Sequence, residues 1–332
     1  MQQPYKDIIY YATLAPSGHN TQPWKFELFD DGIVMMPDWQ RTLPIADPDN
    51  HALFISLGCA LENLVIAARN LGYQPEVNYI FGGRGFVQIL LPPSNTPPTP
   101  TEIALFEQIT ERQSTRCKYN GEPIPSASIE ALLAAATEDK VICQAITDTT
   151  TIKALTDLVK EACILQFDND AFVAELTQWI RFNKMKAAET NDGLYSKASG
   201  NPNVPNWLGK ILVDVTVSPQ SEAKKYEALI NSSSALVLFA GQGNSIRTWI
   251  NVGRSFERFA LKATALGLKN AHVNMPCEAF DVREKLAKLM QLNSGTYPFL
   301  LIRLGYAPKM PHAYRRPVEE VIISHSEAIA AL

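Results

Sequence analysis

Three short segments carry side chains suited to holding an anionic, planar ligand. The first, Ala15-Pro16-Ser17-Gly18-His19-Asn20-Thr21-Gln22-Pro23-Trp24, leaves a helix through a proline and enters a strand through Pro23-Trp24. Its exposed backbone N–H groups and the side chains of Ser17, Asn20 and Gln22 suit the polar edge of a heterocycle. The second is Arg112-Gln113-Ser114-Thr115-Arg116, two guanidinium forks around a hydroxyl pair, which is the chemistry of a phosphate cradle. The third, Ala313-Tyr314-Arg315-Arg316-Pro317, follows an apolar strand and brings cations to a point from which they reach inward. Taken singly, these segments also read as a polar turn, a surface arginine pair and a solvated basic tip.

Other reactive groups are less organised. His19, His51, His272, His312 and His325 share no ligand spacing with cysteines or carboxylates, so no metal site is expected. His19 and His272 are placed to line a cavity or to serve as structural histidines. Gly82-Gly83-Arg84-Gly85 reads as a hairpin turn because no helical pattern follows it. Gly241-Gln242-Gly243-Asn244 follows a strand but lacks the third glycine and the later acidic residue of a dinucleotide fingerprint. The five cysteines form no CxxC pair, which suits reduced thiols.

The elements that position these groups show an internal echo. Gly58–Gly72 matches Gly253–Gly267 in glycine, glutamate, alanine and the closing Leu-Gly, and both read as long buried helices entered at a glycine. Strands are expected at Trp24–Phe29, Ile33–Met36, Glu76–Phe81, Phe86–Leu91, Val141–Ile146, Ala235–Ala240 and Phe299–Leu304, several of them as hairpins. Helices are expected around Lys6–Leu14, Ile129–Ala136, Ile152–Leu165 and Phe172–Phe182. Hairpins mixed with buried helices indicate an α+β fold. The proline-dense stretch 92–100 divides the chain into 1–91 and 101–332 as an extended linker, and the aperiodic stretch 191–221 has the length of a lid or binding loop.

Composition bounds the partners. The 332 residues are 46% apolar, and 30 basic against 34 acidic residues give a net charge of −4. No basic surplus advertises nucleic acid, no apolar run is read as a membrane span, and the N-terminus lacks the pattern of a signal peptide. A cytoplasmic protein acting on small molecules is the expectation.

The loop 15–24, the motif 112–116, the echo helices and the Arg315-Arg316 terminus together resemble the nitroreductase superfamily of FMN-dependent oxidoreductases. They are most similar to its two-half, single-chain Acg-like branch. In ordinary members each subunit carries both an Arg-x-Ser-x-Arg phosphate motif and the Pro-Ser-x-x-Asn loop, and two subunits intertwine around two flavins. Here each motif occurs once, and 132–140, where the loop would repeat, holds nothing comparable. The resemblance therefore implies a nitroreductase-like fold whose two intertwined halves form an internal pseudo-dimer with one FMN site. That unit would stand as a monomer or a weak homo-oligomer. By the same resemblance Arg112, Ser114, Arg116, Arg315 and Arg316 would hold the phosphate, beside Gln113. Pro16, Ser17, His19, Asn20 and Gln22 would lie along the ring and ribityl chain, and the loop containing Asn274 and Met275 would face the flavin. Two departures stand out: His272-Val273-Asn274-Met275 replaces the family's Pro-x-Glu-Gly, and Ala313 replaces its lysine. The implied activity is ping-pong hydride transfer from NAD(P)H through FMN to a flat, electron-poor acceptor. The alternative is a non-catalytic FMN-binding protein that stores flavin or senses redox state.

Overall fold

A computed structural model describes residues 2–80 and 86–327. Two sheets are built from the same plan. In the first, strands Trp24–Phe29, Gly32–Pro37, Phe86–Leu90 and Glu76–Ile80 neighbour one another in that order, all antiparallel. In the second, Val141–Ile146, Ala235–Gln242, Thr296–Gly305 and Lys269–His272 do the same. Each sheet thus runs first, second, fourth, third along its own part of the chain. The chain's last strand, Ile322–Ile323, crosses over to pair in parallel with Trp24–Phe29. The α+β expectation is met, and the antiparallel second sheet excludes a dinucleotide-binding βαβ unit at Gly241–Asn244.

One apolar core joins both sheets to the two echo helices. Phe26, Ile33 and Val87 of the first sheet and Val237, Phe239 and Phe299 of the second share one buried cluster with Leu57, Leu61, Phe256 and Phe259 of the helices. The echo helices span His51–Asn70 and Ile246–Ala265, so their glycines lie in mid-helix rather than at the entrance. There they touch: a Cβ on Gly58 would lie 2.1 Å from the Ile250 carbonyl oxygen, and one on Gly253 would lie 2.0 Å from that of Ile55. The Cys59 thiol donates to the Gly253 carbonyl at 3.3 Å across the crossing. Only glycine permits backbones so close. The closing glycines behave as expected, Gly72 and Gly267 having φ of +89° and +73° just past each helix. Helix His51–Asn70 is long and apolar enough to cross a membrane, which the sequence reading missed, but 89% of its apolar window is buried within the protein.

Two other expectations need adjustment. Residues 191–221 are not structureless: they contain a short strand Leu194–Tyr195, a turn of 3₁₀ helix Ser196–Ser199, helix Asn206–Thr216 and the start of helix Pro219–Asn231. The whole of 147–234 is an excursion between two neighbouring strands of the second sheet, where the first sheet has only a tight turn. The proline stretch 92–100, expected as an extended linker, is tied down at both ends. Ser94 donates to the Gly72 carbonyl at 2.8 Å, and Pro100 opens helix Pro100–Phe106 behind a Thr99/Glu102 capping box. The turn expected at Gly82–Gly85 lies outside the described residues.

Candidate active site

Helix Gln2–Thr13 releases the chain into the loop 14–23, whose shape is forced. His19, Asn20 and Gln22 have φ of +47°, +55° and +53°, a region that costs energy for residues with a side chain. Two amides hold them there. The Asn20 Nδ2 donates to the carbonyls of Gly193 at 3.0 Å and Tyr314 at 3.1 Å, while its Oδ1 accepts from Arg315 at 2.9 Å. The Gln22 Nε2 donates to the Asn191 carbonyl at 2.8 Å, and its Oε1 accepts from the Arg316 amide at 2.8 Å. The loop is therefore locked between the excursion and the C-terminal segment. This corrects the expected roles of Asn20 and Gln22, because their side chains are saturated by protein and have little left to offer a heterocycle. Arg316 departs in the same way: it is buried against Asp38 and the carbonyls of Gln22 and Glu320, and lines none of the cavities below. Ser17 stays available. Its Oγ accepts from the Gln22 amide at 2.9 Å, and its hydroxyl hydrogen is free to turn.

Three adjoining cavities open beside this loop. The smallest, about 50 Å³, is polar and is lined by Arg112, Gln113, Ser114, Arg116 and Arg315 together with Pro16, Ser17 and Asn20. It brings most of the second and third motifs together on the first. Arg112 donates to the Leu14 carbonyl at 3.0 Å and faces Glu257 at 3.2 Å, but its Nη1 has no partner; the Nε of Arg315 is likewise unpartnered. Arg116 makes no hydrogen bond or ion pair among the described residues and stands exposed to the void while protein surrounds it. Burial and neighbouring cations lower the pKa values of Arg116 and Arg315, the latter to about 9. Three guanidinium groups with one carboxylate, which pairs with Arg112 alone, leave an electrostatic place for an anion. Gln113 serves the frame instead, exchanging hydrogen bonds with Met310 and so anchoring the C-terminal segment.

The second cavity, about 230 Å³, continues from Ser114 and Arg116 between Pro16, Ser17 and His19 on one side and His272, Asn274 and Met275 on the other. Burial, reinforced by Arg116, lowers His19 to about 4 and His272 to about 3, so both imidazoles are neutral at pH 7. Asn274 is spent on Glu278 and the Leu301 amide, at 3.1 and 2.9 Å. The sequence reading did not single out Ser56, Cys59, Phe256 or Glu278, which complete the wall. A third cavity of about 410 Å³ lies beneath helix Asn206–Thr216 and shares Arg116, Leu194, Tyr226 and His272 with the second.

Asp47, Asp49 and His51 also gather their ligand atoms within 4.8 Å of one another, away from this cradle. The Arg283 guanidinium lies against them, 3.3 Å from the His51 ring nitrogens and 3.5 Å from Asp49. Asp47 is spent capping the helix, accepting from the amides of Ala52 and Leu53. Their arrangement is that of a buried ion network.

Comparison with known proteins gives relatives along the whole chain. Rv3131 of Mycobacterium tuberculosis (strain H37Rv), named as an NAD(P)H nitroreductase, is 26% identical over 324 residues, covering 96% of this chain and 90% of its own. Acg of the same strain, similarly named, is 24% identical over 326 residues, covering 95% and 94%. PigM of Serratia sp. (strain ATCC 39006) is 26% identical over 204 residues, covering 58% and 55%. No family model matches. Among solved structures, a nitroreductase with bound FMN from Bacteroides fragilis NCTC 9343 covers 64% of this chain and 92% of its own at 16% identity, with a TM-score of 0.39, too low to argue from. Near full-length similarity to chains so named, with the loop and both arginine motifs converging on one pocket, supports the resemblance to the nitroreductase superfamily.

Proposed function

We propose that the chain is an FMN-dependent NAD(P)H oxidoreductase of the nitroreductase type, built as a fused pseudo-dimer with a single flavin site. The observation that carries this reading is the convergence of Arg112, Arg116 and Arg315 on one polar pocket. Guanidinium nitrogens there lack partners, and the pocket continues into a cavity with both polar and apolar walls. Such residues fit a phosphate monoester carrying a ring system. The three arginines and Ser114 would bind the phosphate, and Pro16, Ser17, His272 and Met275 would border the ring. FMN held there would supply the two-electron redox chemistry between NAD(P)H and a flat acceptor. The protein's part is to hold, orient and exclude water: Leu43, Phe167, Phe172 and Leu194 close the second cavity with apolar surface. The neutral imidazoles of His19 and His272 add no positive charge there. The 410 Å³ cavity beneath helix Asn206–Thr216 is the natural place for an acceptor.

The repeated strand order, the helix crossing at Gly58 and Gly253, and the pairing of Ile322–Ile323 with the first sheet support two intertwined halves. The test is direct: purified protein should be yellow, with one non-covalent FMN per chain, and NADPH should bleach it within a stopped-flow trace. Two flavins per chain would overturn the single-site reading. Bound FMN that NADPH does not bleach would favour flavin storage over catalysis.

A further inference from the structure

Directly behind the arginine cradle stands a carboxylate that the binding reading does not use. Glu257 lies in the middle of helix Ile246–Ala265 with none of its side chain exposed. Its Oε1 is 3.2 Å from Arg112 Nε, and neither carboxylate oxygen has a well-formed hydrogen bond. Burial pushes the carboxyl up to about 7, opposed by Arg112 and more weakly by Asn63 and Arg315, while Glu62 adds to the rise. Cys59, on the neighbouring helix, also faces it, its thiol pushed up by burial and therefore neutral. Further charged and titratable groups around the cradle are Arg116, with Arg303, Tyr119, Tyr226, His19 and His272 near it, and His312, with Glu111 and Lys309 near it.

The charge balance gives this carboxylate a task. Three arginines and one ionised glutamate sum to +2, which a phosphate dianion cancels. Once the dianion is seated, Arg112 and Arg315 turn their attraction to it, and a second buried anion beside it becomes unfavourable. We propose that Glu257 is a proton-exchanging positioning residue, which holds Arg112 while the cradle is empty and takes up a proton from solvent when a phosphate dianion binds. Only the Glu257 O–H bond forms in that step, and the buffer supplies the proton. The contrast within the molecule supports this. Glu62, at the matching position of the other helix, is gripped by Arg254 at 2.7 Å and Arg258 at 2.8 Å. Burial alone would raise Glu62, but the two arginines outweigh it and hold it below its usual range.

The inference rests on reading the cradle as the FMN phosphate site, and the test separates the two. FMN is titrated into flavin-free protein by calorimetry at pH 8, in two phosphate-free buffers of different ionisation heat. The second pKa of a phosphate monoester is about 6, so the ligand itself releases almost no proton at that pH. Net proton uptake is expected with FMN and none with riboflavin. Uptake should vanish in Glu257→Gln and persist in Glu62→Gln. FMN affinity should fall as pH rises from 7 to 8, by at most about tenfold per unit for one linked proton, and be nearly flat in Glu257→Gln over that range, which lies below the pH of about 9 at which Arg315 titrates. FMN binding without uptake, uptake that survives Glu257→Gln, or equal uptake with riboflavin each overturns the proposal. Should Glu257→Gln fail to fold, the wild-type contrast between FMN and riboflavin decides. If neither flavin binds, the flavin reading fails on its own, and inorganic phosphate in the same titration decides the proton question. Failure of phosphate to bind as well overturns the cradle and this proposal with it.

Discussion

Around the two crossing helices the same set of elements is arranged twice, once around cavities and once around a closed knot of arginines. The echo aligns the positions: Ser56 with Asn251, Cys59 with Arg254, Glu62 with Glu257 and Asn63 with Arg258. Where Ser56 and Cys59 leave room on the open side, Asn251 on the closed side bonds Tyr79 and the Asp139 carbonyl, both at 3.2 Å. Arg254 bonds Glu62 there. Where Asn63 donates one bond to the Tyr11 carbonyl, Arg258 threads the shorter loop 136–140 and bonds the carbonyls of Ala135 at 3.0 Å and Thr137 at 2.8 Å. On the open side the Leu14 carbonyl, first after its helix, accepts instead from Arg112 and Arg315. On the proposed pseudo-dimer reading, the difference teaches how one of two matching regions fills without loss of fold: arginines on the helices themselves occupy the closed side, and the glutamate keeps a partner either way.

The crossing itself should be the least tolerant point, since both sides depend on it. Gly253→Val would drive a branched side chain into the Ile55 carbonyl, and no small rotation relieves a contact to backbone. The expected loss exceeds about 3 kcal/mol, beyond the usual range for overpacking. Urea unfolding checks it, and an unchanged midpoint would mean that the helices do not meet at these glycines.

The two glutamates should respond with opposite signs. Glu62→Gln removes the carboxylate from two half-buried guanidinium groups, of which Arg258 keeps Glu138, and should cost about 1.5–3 kcal/mol at pH 7. The folded-state pKa of Glu62 is depressed, so its contribution is present above its unfolded value and is lost as pH falls through the folded one. Glu257 is raised to about 7, so its ionised form burdens the folded state. Below its unfolded pKa of about 4.3 that burden is absent; it grows as pH rises and is complete above 7. Glu257→Gln should therefore stabilise the flavin-free protein at pH 8 relative to wild type, and not at pH 4. Equal destabilisation by both variants across the pH range would erase the contrast between the two sides.

Ligand affinity sharpens the comparison next. Arg112→Ala or Arg116→Ala removes a charge-assisted contact of about 1.5–3 kcal/mol, which is roughly 10- to 150-fold in FMN affinity. Riboflavin should be almost indifferent. Arg254→Ala, on the closed side, should leave FMN affinity unchanged. Flavin-free Arg116→Ala should melt no lower than wild type, because Arg116 gives up no hydrogen bond or ion pair there. Fluorescence titration with both flavins separates these outcomes, and equal weakening for FMN and riboflavin would assign the arginines to the frame.

How much of this could be read from the sequence follows from what a linear string displays. Contiguous motifs were legible: the loop 15–24, the cluster 112–116 and the terminal arginines were each recognisable, and the fold gathers most of them at one place. The echo was legible too, and with it the glycines, though their role at a crossing required both helices in space. Partnership was not legible. Nothing in the string shows that Asn20, Gln22 and Arg316 consume one another's hydrogen bonds with residues 191–193 and 314–315, or that Arg112 meets Glu257. Of the excursion, the helices around 152–165 and 172–182 were legible, whereas helix Asn206–Thr216 was not, because Pro202, Pro205 and Gly209 mark its start as a loop. One signal was available for the closed site: arginines stand at 254 and 258 where the echo has Cys59 and Asn63.

The smallest effect is expected from that helix, which only the open side possesses. Its inner side, with Gly209, Val213 and Thr216, borders the large cavity, and Gly209 is so near the Phe182 ring that a Cβ would lie 2.3 Å from it. Its outer side leaves Trp207 66% and Val215 77% exposed, so few apolar contacts hold it from without. Residues 191–193 must stay, because their carbonyls fix Asn20 and Gln22. Replacing 203–217 alone by a short Gly/Ser turn should therefore leave FMN bound while raising turnover with bulky acceptors a few-fold. Limited proteolysis of the intact chain should cut within this helix more slowly when FMN is present. Loss of flavin on trimming would make the helix part of the binding site, and unchanged turnover with every acceptor size would show that acceptors enter elsewhere. Faster FMN release without faster turnover would shift the balance toward storage, since a cover that matters only for retention guards a ligand rather than a reaction.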